Sequence, residues 1–64
     1  MGEKLQKIFK YVEDQGGEIA VLRTIVNSGI SKEKAAILPD TKENIEKLEA
    51  VARKILNRVN LNYD

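Results

Sequence analysis

Leu5, Ile8, Phe9 and Val12 recur at i, i+3, i+4 and i+7, which places them on one stripe about 100° wide of a 3.6-residue helix. That spacing predicts a first helix over about 3–15, closed by the Gly16-Gly17 pair. The next stretch, 18–28, is the most apolar. Stepping 100° per residue gathers Ile19, Val21, Leu22, Ile25 and Val26 in an arc of about 160°. Ala20, Arg23, Thr24 and Asn27 fall on the other side. The pattern predicts the central helix of the core, stopped by Gly29.

Ser31 is placed to cap a short third helix over 32–38, which Pro39 ends. Asp40 or Thr41 then caps a fourth helix, and Asp40 with Glu43 has capping-box spacing. This last helix is expected over about 41–60. Ile45, Leu48, Ala52, Ile55 and Val59 step through it as a two-heptad seam, widened by Val51 and Leu56. Glu43–Lys47 and Glu49–Arg53 stand in the favourable i, i+4 order. No strand-length alternation precedes the C-terminus. The fold class is all-α: a small bundle of three main helices plus one short helix, with helices one, two and four supplying the core and Ile37 and Leu38 closing it. One helical domain is expected over 1–60, with 61–64 a C-terminal tail.

Sixty-four residues allow a single core. Burying roughly 60% of the unfolded surface yields about 95 kcal/mol, against about 96 kcal/mol for ordering the chain. Such a domain is marginal, and burial against a second chain would help it. Eleven Lys and Arg nearly balance ten Asp and Glu, so no one-sign field points to nucleic acid or acidic lipid. Without Cys or His, the usual zinc and transition-metal ligand sets, thiol nucleophiles and the commonest neutral-pH base are missing. No metal or cofactor is expected. The longest apolar runs, 19–22 and 35–38, are four residues, far short of the ~20 that span a bilayer. A cytoplasmic protein is expected, with no membrane partner.

The segment 19–38 resembles a helix-turn-helix motif of the DNA-binding families. Gly29 sits in the turn, Ile25 takes the buried slot four residues earlier, and Gly29-Ile30-Ser31-Lys32 leads into the second helix. The resemblance implies that Ser31, Lys32 and Lys34 approach phosphates or base edges. It covers about twenty residues. Ile25 is bulkier than the usual Ala, Pro39 breaks the second helix after about two turns, and no Arg or Asn stands there for bidentate base contacts.

Lys4, Lys7 and Lys10 recur every third residue on the outer side of the first helix. They read as a phosphate-binding stripe or, with Glu3 opposite Lys7 and Asp14 opposite Lys10, as an ion-paired solvated face. In the tail, Val59, Leu61 and Tyr63 alternate with polar residues at strand period. An apolar end outrunning the core could add to a partner's sheet edge or groove; alternatively, it folds back over the bundle. Ser28, Ser31, Thr24 and Thr41 have no recognisable base beside them. No enzyme and no small-molecule substrate are therefore expected. The expected role is that of a non-catalytic accessory or adaptor subunit acting by protein–protein contact. Leu56, Val59, Leu61 and Tyr63 are its expected interface, and another protein or a second copy of itself its partner. DNA binding through 19–38 is the alternative.

Overall fold

Gly17 joins the first two expected helices end to end. In the computed structural model, which describes residues 1–63, α1 spans Glu3–Ser28 and is kinked at Gly17, whose dihedrals (φ 77°, ψ −171°) leave the helical region. An L side chain is strongly disfavoured there, so the bend is written into the residue type. The two arms of α1, 3–16 and 18–28, are followed by α2 (Lys32–Ile37) and α3 (Lys42–Leu56). The described residues contain no strand, and the all-α expectation holds. Both α2 and α3 pack on α1 and make no comparable contact with each other. Among the described residues, no helix is long and apolar enough to cross a membrane.

The N-terminal arm buries Leu5, Ile8, Phe9 and Val12, the stripe its spacing predicts. Leu48 and Ala52 of α3 and Ala35 of α2 meet this core, with Ile45, Ile55 and Leu56 half-buried around them. Its exposed surface of 4333 Å² is close to the ~4,100 Å² of a folded monomer of this mass.

Two expectations are corrected, and the choice between two caps for the last helix is settled. The last helix stops at Leu56 rather than near residue 60, because Asn57 adopts a left-handed conformation (φ 55°). Its N–H and that of Arg58 then turn back to the last-turn carbonyls of Lys54 and Arg53, at 3.3 and 2.9 Å. Thr41, not Asp40, caps α3: its hydroxyl accepts from the Asn44 N–H at 3.2 Å. Asp40 serves the start of α1 instead, where its carboxylate accepts from the N–H groups of Lys4 (3.2 Å) and Leu5 (3.4 Å). Finally, Leu38 is half-buried against the core, whereas Ile37 is exposed and does not help to close it.

The largest correction concerns 18–28. The arm is turned so that Ala20, Val21, Thr24 and Ser28 are buried, while Ile19, Leu22 and Val26 are exposed at 71%, 55% and 81%. Its inner ridge is made of small residues at four-residue spacing, Ala20, Thr24 and Ser28, in line with Gly16. A β-carbon at Gly16 would come within 3.0 Å of Leu56 Cδ2, so the end of α3 lies close against the bend. The buried hydroxyls cost little. Thr24 Oγ1 donates to the Ala20 carbonyl at 2.8 Å, and Ser28 Oγ accepts from the Ile30 N–H at 3.1 Å.

Candidate interaction surface

Ile19, Leu22 and Val26 stand at i, i+3 and i+7 on the side of 18–28 turned away from the core. Large apolar side chains on a helix normally face the core. This helix is covered on one side only. Beside the stripe, a shallow groove of about 290 Å³ between the arms and α3 is bordered by Gln15, Gly16, Ile19, Arg23, Ile55 and Leu56. Glu18 flanks the stripe on one side and Arg23 on the other, about 140° apart around the helix axis. Neither makes an ion pair among the described residues.

The four expected interface residues do not form one open surface. Val59 lies beyond the helix and is 85% exposed. Leu56, Leu61 and Tyr63 are half-buried and pack against the core. Once Asn57 has reversed the chain, the tail runs back beside α3 and the Tyr63 hydroxyl donates to the Glu49 carboxylate. Arg58 Nη1 donates to the Tyr11 hydroxyl at 3.0 Å, fastening the start of the tail to α1. Of the two readings of the alternation at 59–63, the fold-back is the one found. A helix ending at Leu56 no longer outruns its neighbours, and Leu61 and Tyr63 lie against the core.

The residues of the helix-turn-helix alternative are partly engaged within the chain. Ser31 Oγ accepts from the Lys34 N–H at 3.1 Å, as the cap of α2. Lys32 Nζ pairs with Glu13 at 3.3 Å, with both side chains about half exposed (52% and 51%). Lys34 is exposed. In the turn, Gly29 is left-handed (φ 73°) and Ile30 is buried, while Ile25 is half-buried. The helix after it is only six residues long.

A second groove, about 510 Å³, lies between the N-terminal arm and α2 over Phe9 and Ala35. Lys7, Lys10 and Lys32 border it together with Glu3 and Glu13, so its rim carries both signs. Among the described residues, no three Asp or Glu side chains are grouped to hold a metal ion. No buried side-chain polar atom among them lacks a hydrogen-bond partner.

What sequence periodicity missed is the outward side of 18–28. The buried side instead carries the small residues Ala20, Thr24 and Ser28 at four-residue spacing, with Val21 beside them. Compared with known protein families, with characterised proteins and with solved structures, the chain matches none.

Proposed function

We propose that this chain is a non-catalytic contact subunit, a small bundle of three main helices (the two arms of α1 counted separately) plus one short helix. It docks through the outer side of 18–28 rather than through a free tail. One observation carries this reading: Ile19, Leu22 and Val26 are exposed together on a helix whose opposite side is already packed. Isolated surface hydrophobes are ordinary, whereas a contiguous stripe marks an interaction surface. Leu56 borders the neighbouring groove and so stays part of the expected interface, while Leu61 and Tyr63 serve their own fold. No cofactor, small-molecule substrate or membrane enters this reading, and a cytoplasmic location agrees with it.

DNA binding through Ser31, Lys32 and Lys34 is supported only by a Gly29 turn between two helices. Against it stand an engaged Ser31, a Lys32 shared with Glu13 and a six-residue second helix. Titrating duplex DNA at rising salt tests this alternative, since several phosphate contacts produce a steep loss of affinity.

The contact reading is tested by photo-crosslinking from position 26 in extract of the native host, wild type against Ile19→Lys and Leu22→Lys. Specific adducts that both variants lose while retaining wild-type helicity are expected. Adducts unaffected by either variant, or none in an extract where the chain also stays monomeric, remove the reading.

A further inference from the structure

Glu18, Ile19, Leu22, Arg23 and Val26 occupy the g, a, d, e and following a positions of one heptad, and the exposed side of the arm is that heptad's seam. We infer that the partner docked on this surface is a second copy of the same chain, its arm lying parallel to the first about a two-fold axis. The inference rests on the contact reading above and names its occupant.

Two observations select this arrangement. β-branched residues at a with leucine at d are the combination that favours two parallel strands; here the a positions are Ile19 and Val26 and the d position is Leu22. Glu18 and Arg23 are five residues apart. Within one helix that spacing cannot bring them face to face, yet in a parallel pair it is the g-to-e′ spacing that joins one chain to the other. Glu18 of each chain then meets the partner's Arg23, twice by symmetry. An antiparallel pair centred on Leu22 would instead set the two Arg23 guanidinium groups side by side. The charges therefore choose the orientation that the apolar residues also favour.

A seam of one heptad could not hold two free peptides together. In this chain the helix is formed already: Ala20, Val21, Thr24 and Ser28 fix it to the rest of the fold, so association need not supply its ordering cost. Gly29 occupies the next d position and ends the seam at the turn. Gln15 occupies the preceding one, beyond the Gly17 kink, which limits the contact to a single heptad. The pairing is isologous and closed, so it gives a dimer and no larger array.

Sedimentation equilibrium of the purified full chain, from about 5 μM to about 1 mM, the range of weak specific association, tests the inference. The wild type is expected to dimerise, and Leu22→Lys to be monomeric throughout. Glu18→Lys and Arg23→Glu place like charges opposite one another twice per dimer, so each weakens self-association by about tenfold. An equimolar mixture of these two variants restores complementarity at both pairs and is expected to form heterodimers as tight as wild type. All three substituted side chains are solvent-exposed, and far-ultraviolet circular dichroism checks that each variant is folded.

Three results overturn the inference: a wild-type monomer at every concentration, self-association that Leu22→Lys leaves intact, or a charge-variant mixture no tighter than its components. A monomer that still gives position-26 adducts in host extract removes the second copy and spares the contact surface. A monomer without adducts removes both.

Discussion

Asp40 caps a helix that begins 37 residues earlier: its carboxylate accepts from the Lys4 N–H at 3.2 Å and from the adjacent Leu5 N–H at 3.4 Å. Gly2 occupies the cap position of α1 and has no side chain to offer. The loop between α2 and α3 supplies the acceptor, and with it a negative charge at the positive end of the helix dipole. One side chain thereby holds the N-terminal arm to the middle of the chain.

Asp40→Ala is expected to cost about 1 kcal/mol, lowering the thermal midpoint by about 4–8 °C in a domain this small. Asp40→Asn keeps an acceptor and should lose about half as much, because only the charge–dipole contribution goes. Thermal melts followed by circular dichroism provide the comparison. Equal losses from the two variants would show that the side-chain acceptor contributes nothing.

Gly17 and Gly29 both have positive φ, and their ψ values separate them. At Gly29 (φ 73°, ψ 8°) the backbone is left-handed helical, a region Asn enters readily. At Gly17 (φ 77°, ψ −171°) it lies where essentially only glycine goes. A β-carbon would meet open space at either position, so any difference is backbone strain alone. Gly29→Asn should cost under about 1 kcal/mol, and Gly17→Asn about 1–3 kcal/mol. Urea unfolding of the two variants measures both; equal costs would mean that the bend at Gly17 is not imposed by its backbone.

Much of this architecture was legible in the sequence. The stripe at Leu5, Ile8, Phe9 and Val12, the cap at Ser31 and the stop at Pro39 each rest on one local rule with no competitor nearby. The expectations that moved are those where two rules competed. Val59 extended the heptad seam, but Asn57 could also take a left-handed cap, and the cap prevailed. Asp40 had capping-box spacing for α3, yet a tertiary contact with α1 claimed it. For 18–28, both sides of the helix could be buried. Periodicity favoured the larger side chains, whereas the fold buries Ala20, Thr24 and Ser28 together with Val21. An interaction surface of this kind is read poorly from periodicity, because the residues that make it look like core.

The small side of that helix has a measurable consequence. Thr24 is fully buried, and its hydroxyl donates to the Ala20 carbonyl, an acceptor already within reach of the helical N–H four residues on. Thr24→Val removes the hydroxyl and leaves no new unpaired acceptor, so it is expected to change stability by less than about 1 kcal/mol in either direction. Leu48→Ala, at an equally buried site on α3, should cost about 2–5 kcal/mol. Denaturant unfolding of both variants gives the contrast. A large loss at Thr24→Val would show that the hydroxyl contributes more than its single bond accounts for.

The folded-back tail makes the final prediction. Leu61 and Tyr63 pack against the core, the Tyr63 hydroxyl donates to Glu49, and Arg58 reaches Tyr11. Because Leu61 is only half-buried, truncating it to Ala should cost roughly half of a fully buried leucine, about 1–2 kcal/mol. Tyr63→Phe removes the hydroxyl but keeps the ring, and should cost about 1 kcal/mol. Ending the chain after Asn60 removes both side chains, with an expected fall in thermal midpoint larger than either single variant produces. Helicity at low temperature should hardly change, since α3 already ends at Leu56. Position-26 crosslinking should also survive at temperatures where the shortened chain remains folded, because the tail is not the contact surface. A truncation that keeps the wild-type midpoint and loses the adducts would return the interface to Leu61 and Tyr63 and take it away from Ile19, Leu22 and Val26.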